Sequence, residues 1–167
     1  MNVRLTKRED LDRVMEIYSI ARKYMKETGN PNQWKDFWPP IDLIKEDIQK
    51  ERSYVLEEDN HIYGVFMFLV GHDKTYDLIV NGEWLDKDSE YGVIHRIASS
   101  QERKGILDEA VRYVFNKINN IKVDTHSDNK VMQRVLERNG FIKCGIIYTH
   151  DGTERIAYQK IIKKNNN

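Results

Sequence analysis

A glycine stands next to two cationic side chains in the stretch from Tyr91 to Leu107, where the pattern changes from a buried strand to a helix. A helix amino terminus carries unpaired N–H groups and roughly half a positive charge. Gly105 would let an anion approach this backbone without a Cβ in the way, and Arg103 and Lys104 add positive charge. The stretch therefore predicts a phosphate or pyrophosphate site. The alternative is that Gly105 serves a tight turn and both cations are solvated, because one glycine is a weak signal.

A second change from strand to helix occurs between Asp124 and Phe141. Ser127, Asp128 or Asn129 can cap this helix, and Asn139-Gly140 ends it. Parallel α/β sheets place ligand clefts at the edge where the strands end. Two helix starts at one such edge indicate a ligand site better than either does alone.

Other reactive residue types give weaker signals. The five histidines show no i, i+4 pair and the single cysteine, Cys144, has no partner, so no metal site is predicted. As a nucleophile Cys144 is discounted, because no activating base lies near it in sequence and a buried cysteine usually acts as a small hydrophobe.

These residues need a scaffold, and hydrophobic periodicity predicts one in the order β-α-α-β-β-β-α-β-α-β-β. Thr6 and Glu9 predict a capping box at the first helix. The strand–helix–strand unit from Tyr91 to Thr125 makes its two strands parallel and adjacent, while hairpins on either side are antiparallel. The expected fold class is α/β, with a mixed sheet and helices on both faces.

Length and charge narrow the class of protein. The chain has 167 residues, 27 Lys plus Arg against 27 Asp plus Glu, and a pI near 7.0. Nucleic-acid binders need uncompensated cations, so no nucleic-acid partner is expected. The polar start and the absence of a long apolar run predict neither a signal peptide nor a membrane span. One cysteine cannot form an internal disulfide, which favours a reducing, cytoplasmic setting. We expect one domain over residues 1–162 and a disordered tail over 163–167.

Taken together, the two stretches resemble the acyl-CoA site of the GNAT superfamily of N-acetyltransferases. The element order is also similar, over roughly Asn2 to Ile162. Of the family's glycine-loop pattern only the central glycine is present, in Glu102-Arg103-Lys104-Gly105-Ile106-Leu107. The helix that begins at Asp128-Asn129 and is followed by Gly140-Phe141 is similar to the family's second motif. The following strings resemble a bacterial subgroup of these enzymes: His95-Arg96-Ile97-Ala98-Ser99, Asp124-Thr125-His126-Ser127-Asp128-Asn129 and Cys144-Gly145-Ile146-Ile147-Tyr148.

The resemblance implies a mostly antiparallel sheet with a splayed parallel pair of central strands. It implies direct transfer of an acetyl group from acetyl-CoA, as co-substrate, to a primary amine of a small molecule or peptide, without a metal. The residues then expected at the cofactor are Ile97, Ala98, Ser99, Arg103, Lys104, Gly105, Ile106 and Asn129.

The same resemblance suggests catalytic residues. His95 is the candidate base, since the ordinary histidine pKa of about 6.5 suits proton acceptance; the alternative is a structural histidine. Asp124 and His126 are second choices. Leu136 stands where the family often has a tyrosine that acts as the general acid. The leaving thiolate would then take its proton from Tyr148 or from water, or it would leave unprotonated.

Trp34, Trp38 and Trp84, with Phe37, are expected to line an acceptor pocket, or else to fill the core. The alternative function is a catalytically weak or inactive CoA-binding or protein-interaction module of the same fold. The acceptor, the acyl chain length and the choice between monomer and homodimer stay open.

Overall fold

A seven-stranded sheet in the order β1-β2-β3-β4-β5-β7-β6 organises the molecule. The computed structural model describes residues 1–163. The strands are β1 (Asn2–Leu5), β2 (Ser53–Glu58), β3 (His61–Val70), β4 (Gly92–Ser99), β5 (Asn120–Thr125), β6 (Ile142–Tyr148) and β7 (Glu154–Ile161). The helices are α1 (Leu11–Glu27), α2 (Ile41–Gln49), α3 (Ile106–Phe115) and α4 (Lys130–Arg138), with single 3-10 turns at Arg8–Asp10 and Lys74–Tyr76.

The helices cover both faces of the sheet. Val55 and Val65 pack with α1 and α2, whereas their chain neighbours Leu56 and Phe66 pack with α3 and α4. Because side chains alternate between the two faces of a strand, the helix pairs lie on opposite sides. The connection from Gly71 to Tyr91 covers a third cluster around Tyr76 and Trp84. The predicted α/β class is confirmed.

The parallel pair opens into a wedge, as the resemblance implied. β4 and β5 pair at Gly92–Ile121 and Val93–Lys122 and then separate. On its other side β4 stays paired to β3 through an irregularity, since Met67 faces His95 while Val65 faces Ala98. An extra residue of this kind bends a strand and re-aims its side chains.

The predicted capping box at Thr6 and Glu9 is wrong. Thr6 is buried and its hydroxyl lies 2.7 Å from the Ser53 hydroxyl. The Asp10 carboxylate instead accepts the Lys7 N–H, at 2.7 Å, and the α-helix starts one residue later. The carboxylate that caps this turn belongs to Asp10 and not to its neighbour Glu9, and the spacing of residues in the sequence does not distinguish the two.

Of the predicted tail, Lys163 is exposed and residues 164–167 lie outside the described residues. Within residues 1–163 no helix has the length and apolar character needed to cross a membrane.

Candidate active site

A small groove and a larger cavity meet at the wedge between β4 and β5. The groove, of about 150 Å³, lies between α1, the end of β4 and the first turns of α3 and α4. The cavity, of about 560 Å³, lies along the middle of β4 and the end of β5, under the loop that joins α1 to α2. Both are lined by Ile97, which follows the irregularity in β4, and by Asn129 at the start of α4.

The groove brings together most of the residues predicted to bind a cofactor. It is lined by Ile97, Ala98, Ser99, Ile106 and Asn129. Its remaining walls are largely apolar, from α1 and α4. A narrow apolar channel with strand backbone on one side suits an extended chain of methylene and amide groups.

The amino terminus of α3 is open to a ligand. Gly105 adopts φ +84°, a left-handed conformation that glycine reaches at no steric cost. A Cβ built there would meet nothing nearer than the Asp108 carboxylate, at 3.7 Å. Arg103 and Lys104 do not line the groove; Arg103 forms an ion pair with Glu58, and Lys104 is exposed.

The acids around this turn face other partners. Glu102 accepts from Arg13 at 2.9 Å and bonds to His61 at 2.7 Å. Asp108 pairs with Arg138 at 2.9 Å, on the side of α4. The repulsion of an anion that acidic residues would cause is therefore reduced.

Asn129 connects the two recesses. Its Oδ1 accepts the Met132 N–H, at 3.0 Å, and so caps α4. Its Nδ2 donates to Gln33 Oε1, at 2.9 Å, in the loop that covers the cavity. The predicted cofactor residue thus also holds the wall of the other recess.

His95 lies in the cavity between two carboxylates. Its Nε2 is 2.8 Å from Asp73 Oδ2, and its Nδ1 is 3.9 Å from Asp124 Oδ2. Burial raises the pKa of Asp73, but hydrogen bonds from His95 and Thr75 outweigh burial and hold that pKa well below its ordinary value. An ionised carboxylate can only accept, so His95 Nε2 donates to Asp73 and Nδ1 is the ring nitrogen on the side of Asp124.

The Asp124 oxygen that faces His95 also accepts a hydrogen bond. The Tyr76 hydroxyl donates to Asp124 Oδ2, at 2.7 Å. Burial, together with the Asp124 charge, raises the pKa of Tyr76 well above its ordinary value, so this hydroxyl keeps its proton. Asp124 Oδ1 is 4.0 Å from Arg155 Nε.

The aromatic residues predicted at the acceptor pocket separate into two groups. Trp34, Phe37 and Trp38 line the cavity. Trp84 does not; it is buried, and its indole N–H donates to the Tyr76 carbonyl at 2.9 Å. Sequence alone cannot separate these cases, because every tryptophan lies in irregular backbone.

Two further candidates lie away from the cavity. Ile147 and Thr149 line it, but Tyr148 does not, because alternate residues of β6 face opposite sides of the sheet. His126 does not line it either, and its Nδ1 accepts the Asp128 N–H at 3.0 Å.

Sequence reasoning missed Asp73 and Arg155. Asp73 follows Gly71-His72 in a connection without periodicity, and it meets His95 across 22 residues. Arg155 is the second residue of β7, beside a hairpin turn, where charged residues are ordinary. Neither position carries a local signal for chemistry.

Comparison with known proteins gives no match to a family model and no match among curated proteins. Solved structures do match. A GNAT-family acetyltransferase from Streptococcus agalactiae 2603 is 31% identical, with 98% of this chain and 96% of that chain covered and a TM-score of 0.87.

Two further solved structures extend the comparison. A provisionally assigned acetyltransferase from Staphylococcus aureus Mu50 is 29% identical over 98% of this chain and 100% of that one, with a TM-score of 0.72. A Salmonella typhimurium protein solved with its cofactor acetyl-CoA is 14% identical over 99% and 97% of the two chains; its TM-score of 0.63 shows a shared fold.

Proposed function

Since the chain belongs to the GNAT family of acetyltransferases, we propose that it transfers an acetyl group from acetyl-CoA to the primary amine of an acceptor held in the cavity. The observation that carries this proposal is the Asp73–His95 pair, which lines the cavity two residues before Ile97, a residue that lines both the cavity and the groove. Amide formation releases the CoA thiol and one proton from the acceptor ammonium group.

The residues of the groove fit acetyl-CoA. Pairing between β4 and β5 ends at Val93, so the backbone of the following residues is available to amides of an extended ligand. Gly105 leaves the first turn of α3 open to a pyrophosphate. When bound, acetyl-CoA supplies an activated acetyl thioester. The Salmonella typhimurium structure supports this choice of ligand.

His95 is placed to accept the proton of the acceptor amine. Asp73 holds Nε2–H, and the free Nδ1 is on the side of Asp124. An ammonium group is attracted to the Asp124 carboxylate and can give its proton to Nδ1. Asp73 orients the imidazole, in the way that a carboxylate orients the histidine of a catalytic triad.

Neither of the two positions considered for a general acid, Leu136 and Tyr148, offers a proton donor to the leaving thiolate. Leu136 is fully buried in the core, and Tyr148 does not line the cavity. We therefore propose that the thiolate leaves unprotonated or takes its proton from water.

Thiol release from acetyl-CoA in the presence of a panel of primary amines tests the proposal. We expect His95→Gln to lower kcat by roughly 10²- to 10⁴-fold, the usual contribution of a general base, with CoA affinity unchanged in calorimetry. Asp73→Asn should lower kcat by less and shift its pH profile. His72→Gln, at an exposed histidine paired with Asp77, is the matched control.

The same measurements of thiol release and CoA binding distinguish an active enzyme from a binding module of the same fold. Arg103 is tied to Glu58 and the expected acid is missing, which are the observations that favour a module. CoA binding without thiol release for any amine would establish the module and contradict the enzyme. No CoA binding would contradict both.

A further inference from the structure

Arg155 is a nearly buried cation without a hydrogen-bonded carboxylate. Its side chain lines the cavity and is 10% exposed. Its Nη1 and Nη2 donate to backbone carbonyls of Glu154, at 3.1 Å, and Gln33, at 3.5 Å. The nearest carboxylate oxygen, of Asp124, is 4.0 Å from Nε. Burial lowers the pKa of this guanidinium, so its charge is held there at a cost.

The other two arginines that line the cavity each have a hydrogen-bonded carboxylate. Arg96 donates to Asp47 from Nε and Nη2, at 2.9 and 3.0 Å. Arg52 Nε donates to the same carboxylate, at 2.7 Å. Asp47 is 1% exposed and is shared by both. Each of these two arginines therefore has a carboxylate at hydrogen-bond distance, whereas Arg155 has none among the described residues.

From this contrast we infer that the acceptor is a free α-amino acid or a closely similar amine, whose carboxylate binds Arg155 while its amine faces His95. This inference rests on the proposed function and names its substrate class. A guanidinium presents a planar fork of donors that matches a carboxylate in two-point contact. Such an anion offsets the cost of burying the Arg155 charge.

The spacing of the charged groups favours a small zwitterion. Asp124 lies between the two ends, 3.9 Å from His95 and 4.0 Å from Arg155. An ammonium group on the Asp124 side and a carboxylate on the Arg155 side are then separated by a few atoms, as in an α-amino acid. A peptide amino terminus would instead place a neutral amide at Arg155, and a polyamine would place a second cation there.

Matched acceptors test the inference directly. Thiol release is measured with L-amino acids and with the same amino acids as α-carboxamides, for the wild type, Arg155→Met and the exposed control Arg134→Met. We expect roughly 10- to 100-fold higher kcat/KM for the acids in the wild type and in the control, and a ratio near one in Arg155→Met. The amine next to an amide loses its proton more readily, so intrinsic reactivity works against this result.

A binding measurement tests the substrate class independently of the proposed acetyltransferase activity. L-amino acids should raise the melting temperature of the cofactor-free wild type more than their carboxamides do, and Arg155→Met should remove the difference. Equal turnover of acids and amides, or an equal loss of both in Arg155→Met, would overturn the inference and leave the acetyltransferase standing. If no amine releases thiol, the proposed function fails, and the melting temperatures alone decide whether Arg155 binds a carboxylate.

Discussion

His95 and His126, near the carboxyl ends of β4 and β5, show how neighbouring groups determine what a histidine can do. Asp73 accepts from His95 Nε2 and leaves the opposite ring nitrogen free. His126 has the reverse arrangement, because its Nδ1 is occupied by the Asp128 N–H and because burial, followed by the charge of Arg155, lowers its pKa. The first geometry suits a base, and the second suits a structural acceptor at the start of a helix.

His126 gives a prediction for stability against pH. Burial, then the charge of Arg155, lowers the pKa of His126 below its ordinary 6.5, with Asp128 acting in the opposite direction. The unfolded chain therefore binds more protons, and stability is lost as pH falls from about 6.5 through the lowered pKa of this side chain. Melting temperatures between pH 7.5 and 5 should fall less steeply for His126→Asn, which keeps an acceptor near Nδ1 but does not titrate. Parallel curves for the two proteins would contradict this role.

At the residue scale, the sequence identifies some of the site and misses the rest for a physical reason. His95, Asn129, Trp34 and Trp38 stand in recognisable strings or aromatic segments, and the structure places them around one cavity. What Asp73 does depends on a contact between distant elements. The sequence shows a charge at that position but cannot show which groups fold against it.

At the scale of elements, the site depends on a close approach of β3 to α3. Gly64 in β3 faces the first residue of α3: a Cβ built there would lie 2.6 Å from Ile106 Cγ2 and 3.2 Å from the Ala98 carbonyl. Ile106 and Ala98 both line the groove. The absence of a side chain at Gly64 therefore sets the position of the helix end that we propose binds the pyrophosphate.

Gly64→Ala should disturb stability and cofactor binding together. Overpacking of a core contact commonly costs about 1–3 kcal/mol, and the β-branched Ile106 has little freedom to move away. We expect a lower melting temperature and weaker CoA binding in calorimetry. In the double variant with Ile106→Ala the two losses should not add, because removing Cγ2 makes room for the new methyl group. Strictly additive losses would show that the two positions are not in contact.

The elements themselves are largely predictable, because each has a clear hydrophobic period. The strand–helix–strand unit from Tyr91 to Thr125 fixed the parallel pair. The irregularity near Met67 could not be predicted, because it depends on how β3 pairs with β4 and the local sequence gives no sign of it. The open wedge was expected from family resemblance and not from periodicity.

At the scale of the whole molecule, the balanced charge hides separate local environments. The formal sum is zero, yet the cavity is lined by Arg52 and Arg96, which are paired with Asp47, by an Asp73–His95 pair, and by Arg155, which has no hydrogen-bonded carboxylate within residues 1–163. A net charge describes solubility and long-range attraction. It does not report which charges lie close enough to act on one ligand.

Ligand binding to the groove should stabilise the whole fold, because the groove joins α1, β4, α3 and α4. At a CoA concentration of a hundred times Kd, mass action adds about 2.7 kcal/mol. For a chain of this length we expect the melting temperature to rise by roughly 5–10 °C. Pantetheine at the same concentration should raise it less, because it lacks the pyrophosphate that α3 would bind. An unchanged melting temperature at saturating CoA would contradict the assignment of the groove.

The wedge between β4 and β5 has a consequence for how the protein behaves as a solute. Most sheets have free hydrogen-bonding edges at their two rims, where short strands, charges or covering loops prevent other chains from adding a strand. Here pairing stops at Val93 in the middle of the sheet, which creates an additional edge in the interior. The opening that would receive an extended ligand is therefore also a template for strand addition by another chain. We expect a ligand bound in that slot to block such pairing as well as to take part in turnover.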